Sequence, residues 1–162
     1  MLFKPTIVLE SVLEITQELL QKYKIKGLIL DLDNTLTTHG NPHPADGVLD
    51  WISQMKQQGI LMMIVSNNRY ERVRPFAERL GLDFVSNGKK PLTVGFNKAR
   101  DKMDLSYDDI AIVGDQLFTD MLGANLKRIK TIFVFPFEPE KGVLFAIKRL
   151  AEKPFLPPRN RK

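Results

Sequence analysis

The chain contains no cysteine among its 162 residues, which excludes disulfide bonds and thiolate metal sites. It also contains no apolar run near the roughly 20 residues that a membrane-spanning helix needs. The longest apolar run is ILMMIV, residues 60–65, which has the length of a buried strand. With 43% hydrophobic and 27% charged residues, the chain has the composition of a globular protein. We therefore predict one domain over residues 1–162, large enough to bury a core without crosslinks.

Neither a long apolar leader nor a balanced charge distribution is present. The opening residues, MLFKPTIVLE, lack the apolar segment of a secretory signal, so we expect a cytoplasmic protein that can attach peripherally to the inner face of the membrane. Residues 141–162 carry seven basic residues and one acidic residue, whereas the other 140 residues sum to −1 within a net charge of +5. Such a segment can meet anionic lipid or nucleic acid, and we do not expect nucleic acid. Its prolines favour a solvated, flexible basic tail over residues 153–162.

Apolar spacing predicts alternating helices and strands along the chain. Residues 8–22 have helical spacing, within an N-terminal helical segment of residues 1–24. Strands are predicted at 26–33, 60–66, 84–86, 109–115 and 131–135, and helices at 45–58, 69–81, 92–103, 119–129 and 139–151. This alternation is typical of βαβ units, so we predict an α/β, Rossmann-like three-layer sandwich with a central parallel sheet.

Polar residues follow four of the predicted strands at their carboxyl ends. They are Asp31 and Asp33, then Ser66, Asn67 and Asn68, then Lys89 and Lys90, then Asp115, with Asp120 in the following helix. Parallel α/β sheets bind their ligands outside the carboxyl ends of the strands. The sequence therefore predicts that these side chains meet at one edge of the sheet.

The stretch GLILDLDNTLT places Asp31 and Asp33 one residue apart, where their charges repel unless a cation lies between them. Oxygen ligands without cysteine favour a hard cation such as Mg²⁺, with Asp31 and Asp115 as direct ligands. Asp120 alone is explained equally well by the preference of acids for helix starts. A carboxylate such as Asp31 can also attack phosphorus, and Asp33 can then serve as acid and base.

Four motifs carry a family resemblance. In order, DLDNTLT, VSNN, KKP and GDQLFTD resemble the motifs of the haloacid dehalogenase superfamily of phosphatases, over nearly the whole chain. DLDNTL, GDQLFTD and the Lys-Pro third motif are similar to subclass IIIA, and the opening residues through IKGLILDLDNTL resemble the YqeG-type phosphatases. That group is related to phosphatidylglycerophosphate phosphatases of cardiolipin synthesis in fungal mitochondria and plants.

The resemblance implies a role for each motif residue. Asp31 is the expected nucleophile and a metal ligand, and Asp33 the acid/base, with its backbone carbonyl on Mg²⁺. The remaining implied roles are Thr35 bracing the turn, Ser66 and Asn67 binding phosphoryl oxygens, Lys90 as the motif lysine, Asp115 as metal ligand and Asp120 as its supporting partner. Lys89 is the alternative to Lys90.

No cap domain is expected, because residues 38–60 hold only a turn and one helix, and residues 69–88 only a helix and a short strand. An open site suits a phosphate carried on something large, such as a phospholipid headgroup at a membrane surface. We therefore expect a Mg²⁺-dependent phosphomonoester hydrolase of phospholipid metabolism, acting on phosphatidylglycerophosphate. The alternatives are a phosphatase of a soluble sugar phosphate or nucleotide, or an RNA- or ribosome-associated binding module with a vestigial site.

Overall fold

The computed structural model describes residues 2–138 and 141–159. Its centre is a six-stranded sheet in which every neighbouring pair of strands is parallel. The strands are β1 (Ile7–Leu9), β2 (Gly27–Leu30), β3 (Leu61–Val65), β4 (Asp83–Val85), β5 (Ile110–Gly114) and β6 (Lys130–Val134), in the order β1-β6-β5-β2-β3-β4. The central strand β2 therefore has β5 and β3 as its neighbours.

Helices cover both faces of this sheet. They are α1 (Gln17–Lys22), α2 (Val48–Gln57), α3 (Tyr70–Leu80), α4 (Val94–Met103), α5 (Leu122–Leu126) and α6 (Val143–Glu152). Leu28 and Leu30 of β2 belong to the same buried cluster as Trp51 and Phe76, from α2 and α3. Ile29 points to the other face, into a cluster with Phe96 of α4. Because β2 is apolar on both faces, it is buried in a three-layer α/β sandwich, as predicted.

The predicted helix over residues 8–22 is wrong in its first half. Residues Ile7–Leu9 form β1, which pairs with β6 at the edge of the sheet. The helix begins only at Gln17, after Thr16, whose side-chain oxygen accepts a hydrogen bond from the Leu19 N–H at 3.2 Å. A three-residue strand is too short to show its own period, and its pairing with β6 is a long-range contact that local spacing does not encode.

The end of the described chain packs against its beginning. Residues Lys153–Phe155 form a 3₁₀ turn, and the ring of Phe155 lies 5.1 Å from that of Phe3. Arg159 forms an ion pair with Glu10 at 2.8 Å. The described part of this segment therefore has apolar and charged partners near the N-terminus, and the flexibility expected for residues 153–162 stays a prediction. Residues 160–162 of that tail lie outside the described residues.

The connections on either side of β3 contain no cap domain. A loop and α2 join β2 to β3, and α3 alone joins β3 to β4. The carboxyl ends of β2, β3 and β5 lie at the same edge of the sheet, because these strands are parallel. Among the described residues, no helix combines the length and apolar character needed to cross a bilayer.

Candidate active site

A tight turn brings both acids of the first motif to the carboxyl end of β2. The Asp31 N–H extends the sheet by donating to the Val113 carbonyl at 2.9 Å. Beyond it, Asn34 adopts a left-handed conformation with φ of 58°, and the Leu36 N–H donates to the Leu32 carbonyl at 2.9 Å. Asp31 and Asp33 both line the same cleft, in keeping with the rule that residues two positions apart in an extended segment share a face.

Three buried carboxylates converge at this edge. Asp31, Asp115 and Asp120 each offer an oxygen within 4.8 Å of the others. Asp115 is fully buried, and its Oδ1 has no hydrogen-bond partner within the described part of the chain. An unpartnered buried oxygen and an all-carboxylate donor set fit a hard divalent cation. The predicted meeting of Asp31 and Asp115 is present, with Asp120 as the third acid instead of the side chain of Asp33.

Burial and mutual repulsion disfavour the charged forms of Asp31 and Asp115. Burial raises the pKa of Asp31 to about 6, the nearby Asp120 carboxylate adds to the shift, and Lys90 partly offsets it. Burial followed by the charge of Asp31 raises the pKa of Asp115 well above its usual value, with Arg149 opposing the shift. Positive charge placed among the three acids would therefore reduce the repulsion between their carboxylates.

Lys90 supplies part of that charge from within the site. Its Nζ lies 2.7 Å from Asp31 Oδ1 and 2.7 Å from Asp120 Oδ1, and the side chain is buried. Burial opposes the ammonium, but the carboxylates of Asp120 and Asp31 outweigh it and raise the pKa of Lys90. Lys89, by contrast, is exposed. The structure therefore places Lys90 in the site and Lys89 outside it.

Asn67 holds Lys90 in place through two backbone hydrogen bonds. The Lys90 N–H donates to Asn67 Oδ1 at 2.7 Å, and Asn67 Nδ2 donates to the Lys90 carbonyl at 3.0 Å. Both ends of the side-chain amide are thereby used. The contact of the Asn67 backbone N–H with a phosphoryl oxygen stays a prediction.

Asp33 is held by donors of its own, away from the three converging acids. Its Oδ1 accepts hydrogen bonds from the Gly40 N–H at 2.8 Å and from Arg72 Nη2 at 2.8 Å, and its Oδ2 accepts one from Asn68 Nδ2. The predicted contact of Asp33 with metal through its backbone carbonyl stays a prediction. Neither Arg72 nor the side chain of Asn68 was assigned a role from the sequence.

Ser66 and Thr35 complete the motif residues. Ser66 Oγ accepts hydrogen bonds from the Asn68 N–H at 3.1 Å and from Asn68 Nδ2 at 3.2 Å, so its own proton is available to the cleft. Thr35 is buried, but within the described residues its hydroxyl oxygen has no hydrogen-bond partner. Its bracing role stays a prediction.

A π-helical turn and a glycine position the Asp120 carboxylate at the carboxyl ends of the strands. The turn spans Leu117–Met121, and Asp120 Oδ2 accepts a hydrogen bond from the Gln116 N–H at 3.2 Å. A Cβ at position 114 would lie only 2.3 Å from the carboxylate carbon of Asp120. The GD pair of the fourth motif therefore requires glycine before Asp115.

Helix α6 contributes side chains that the sequence did not predict. Arg149 donates from Nη1 to the Asp115 carbonyl at 2.9 Å and from Nη2 to Asp115 Oδ2. Lys148 donates to Gln116 Oε1, and the buried Glu152 accepts from the Phe118 N–H at 3.1 Å. The basic composition of residues 141–162 is the signal available in the sequence, but it does not indicate that Lys148 and Arg149 contact Gln116 and Asp115.

The assembled cleft has a volume of about 220 Å³. Its lining includes motif residues, loop residues and α6: Asp31, Asp33, His39, Ser66, Asn67, Asn68, Lys90, Gln116, Thr119, Phe145 and Lys148. It therefore combines a carboxylate nucleophile candidate, a buried ammonium and a hydroxyl donor around one small volume.

Sequence comparison matches the chain to a protein family and to a relative of similar length. A sequence profile described as "Haloacid dehalogenase-like hydrolase" matches residues 9–134. The "Probable phosphatase YqeG" of Bacillus subtilis (strain 168) is 38% identical over 160 residues, which cover 99% of this chain and 93% of that protein.

Solved structures share the fold at low sequence identity. An uncharacterized protein from Listeria monocytogenes serotype 4b superposes with a TM-score of 0.58 at 19% identity, over 74% of this chain and 86% of that one. The 3-deoxy-D-manno-octulosonate 8-phosphate phosphatase from Yersinia pestis gives 0.52 at 17% identity, over 75% of this chain and 79% of that one.

Proposed function

The chain belongs to the haloacid dehalogenase-like hydrolase family and is a phosphatase, and from that premise we propose a Mg²⁺-dependent phosphomonoesterase that works through an aspartyl-phosphate. The observation that carries this proposal is Lys90 Nζ, buried 2.7 Å from both Asp31 and Asp120 beside the unpartnered oxygen of Asp115. A phosphoryl group entering the cleft would meet a nucleophile and a positive charge at once.

Asp31 is the proposed nucleophile. Its carboxylate oxygen forms a bond to phosphorus while the bond from phosphorus to the ester oxygen breaks, and the leaving alkoxide takes a proton from Asp33. Asp33 then removes a proton from water, which attacks the aspartyl-phosphate, releases inorganic phosphate and regenerates Asp31. The hydrogen bonds from Arg72, Asn68 and Gly40 fix the orientation of Asp33 for both transfers.

Lys90 and Ser66 stabilise the transferring phosphoryl group. Lys90 is held charged by its two carboxylate partners, so it can offset the negative charge that gathers on the phosphoryl oxygens. Ser66 can donate its free hydroxyl proton to the same oxygens, because its lone pairs already accept from Asn68. Asn67 fixes the backbone of Lys90 and offers its N–H.

A divalent cation fits beside these groups. The side chains of Asp31 and Asp115 and the backbone carbonyl of Asp33 are the proposed ligands, with Asp120 holding Lys90. When bound, Mg²⁺ would shield the phosphoryl oxygens from the carboxylate that attacks them.

Phosphatidylglycerophosphate is the proposed substrate. The resemblance to YqeG-type phosphatases supports it, as does a cleft with no cap domain to enclose a small metabolite. The test is phosphate release from this lipid in detergent beside a panel of soluble sugar phosphates and nucleotides. We expect release from the lipid, loss of release with Asp31→Asn or EDTA, and recovery when Mg²⁺ is added back.

Two outcomes would change the proposal. Turnover of soluble phosphates without turnover of the lipid would replace the substrate and keep the chemistry. Turnover that persists in Asp31→Asn would overturn the aspartyl-phosphate mechanism.

A further inference from the structure

Helix α6 presents aliphatic side chains to solvent and charged side chains to the protein. Val143, Leu144, Ile147 and Leu150 are 76%, 82%, 59% and 69% exposed, respectively. We call these four residues the aliphatic face. Their spacing of three and four residues, with Leu144 beside Val143, forms one continuous stripe along the helix. A helix that merely covers a core would bury this stripe.

The opposite side of α6 is anchored by polar contacts. Arg149 binds the backbone and side chain of Asp115, and Glu152 accepts the Phe118 N–H while pairing with Arg149 at 3.1 Å. Lys148 donates to Gln116. These contacts determine which side of the helix faces outward. The exposure of the aliphatic face is therefore set by the anchored side of α6 and is not the result of a loosely attached helix.

The aliphatic face lies beside the mouth of the catalytic cleft. Phe145 and Lys148, within the same turns of α6, line that cleft, and the Phe145 ring lies 5.2 Å from the ring of His39. Whatever covers the aliphatic face is therefore adjacent to the place where a phosphate enters.

We propose that the aliphatic face docks α6 onto an anionic lipid bilayer. Exposed Lys141 and Lys153 stand just before and just after the helix. A convex aliphatic stripe flanked by lysines has the chemistry of helices that lie in the interface of anionic membranes. A protein partner would have to match this ridge with a groove of its own, whereas a bilayer needs no such match.

Phe155, just after α6, is partly exposed, and its ring lies 5.1 Å from that of Phe3, so apolar surface continues from the end of the helix to the N-terminal segment. Docking through this surface would bring the cleft to the plane of lipid headgroups. That consequence for catalysis rests on the proposed function, whereas the binding itself does not.

The test is co-sedimentation with vesicles of phosphatidylcholine alone or of phosphatidylcholine and phosphatidylglycerol in equal parts, neither of which carries a phosphomonoester. We expect binding to the anionic vesicles only, weakened by salt. The double variant Leu144→Glu, Ile147→Glu should lower that binding by about tenfold or more. The matched control is Leu49→Glu, Leu61→Glu, which adds the same charge at exposed aliphatic positions of α2 and β3, outside α6 and the N-terminal segment.

The absence of cysteine allows a second readout that does not depend on a destabilising charge. Ile147→Cys, labelled with an environment-sensitive fluorophore, should show a blue shift with anionic vesicles, and Leu61→Cys should show none. Absence of binding by the unaltered protein, or equal loss in the control double variant, overturns the proposal. The proposal is also overturned if the protein fails to bind vesicles but self-associates, and the Leu144→Glu, Ile147→Glu variant abolishes that self-association.

Turnover of a soluble phosphate ester distinguishes failure of the docking proposal from failure of the proposed function. The α6 variant should retain it, because none of its altered residues touches the cleft. Vesicle binding by a protein without phosphatase turnover would refute the proposed function and leave the docking surface supported.

Discussion

At the scale of single residues, Lys90 is the group on which the site's electrostatics depend. Removing one partner of a buried ion pair leaves the other charge uncompensated, at a cost of about 3–5 kcal/mol. Lys90→Met should therefore lower the free energy of unfolding by about that amount in the absence of metal, as measured by urea denaturation, and should abolish turnover. Added Mg²⁺ should recover part of the stability, because it supplies positive charge to Asp31 and Asp120.

The neighbouring Lys89 is the matched control for that experiment. It is exposed and one residue away, so Lys89→Met should change stability by no more than about 0.5 kcal/mol and leave turnover intact. Loss of turnover in Lys89→Met with retention in Lys90→Met would contradict the assignment of Lys90.

Arg72 is expected to act through Asp33. Its guanidinium donates to Asp33 Oδ1 at 2.8 Å, so Arg72→Leu should free the acid/base to rotate and lower kcat by about tenfold to a hundredfold, with a smaller effect on KM. Arg74→Leu is the control, since Arg74 pairs only at the surface with Glu78 and the Tyr70 hydroxyl. Steady-state kinetics on one soluble phosphate compares the two variants, and equal kcat values for them would exclude the positioning role.

Gly114 restricts the site sterically. A methyl group at this position would meet the Asp120 carboxylate at 2.3 Å, so Gly114→Ala should destabilise the fold by about 1–3 kcal/mol and displace the partner of Lys90. We expect turnover to fall sharply in folded protein. Gly59→Ala, at a positive φ of 77° with open space around it, should also destabilise the fold but keep turnover. If both variants kept turnover, the position of the Asp120 carboxylate against Gly114 would not be required for catalysis.

At the scale of elements, Arg149 is the residue of α6 that contacts both the backbone and the side chain of Asp115. Arg149→Met removes the donors to Asp115 and the partner of Glu152, so amide hydrogen exchange in α6 should accelerate while β2 and β5 keep their protection. Lys141→Met, an exposed change just before the helix, should leave exchange in α6 unchanged. Unchanged protection of α6 in Arg149→Met would show that other contacts hold the helix.

The elements also show what local sequence could and could not predict. The strands β2, β3 and β5 are apolar on both faces and are followed directly by polar residues, so their existence and the edge where those residues meet could be predicted from sequence. Strand β1 was missed because only its pairing with β6 defines it. The site residues inside motifs were found, whereas Arg72 and Arg149 were not, because their partners lie 39 and 34 residues away.

Helix α6 illustrates a further limit. Its apolar spacing predicted a helix over residues 139–151, and the structure has one over Val143–Glu152, with residues 139 and 140 outside the described residues. Periodicity identifies an apolar face, but it carries no information on whether that face points inward. Only the contacts of Lys148, Arg149 and Glu152 show that the polar face is the buried one.

At the scale of the whole molecule, the acids that converge on one point should make stability depend on a divalent cation. A ligand that binds only the folded state adds about 2.7 kcal/mol when present at 100 times its Kd. We therefore expect Mg²⁺ to raise the Tm and EDTA to reverse the increase, as followed by scanning calorimetry. Asp115→Asn should remove most of this response, whereas Asp101→Asn, at an exposed position, should keep it. A response that is equal in both variants would place the cation elsewhere.

The pairing of β2 with β5, in which Leu30 faces Val113, has a consequence for how the protein is made. Asp31 emerges early during translation, but Asp115 and Asp120 follow 84 and 89 residues later, and Arg149 later still. A nascent chain halted before β5 would already carry the DLDNTLT turn together with Arg72 and Lys90, but it would lack Asp115, the second proposed carboxylate ligand of the cation. The cation therefore cannot guide the first steps of folding. It can bind and stabilise the sheet only after β2 and β5 have paired.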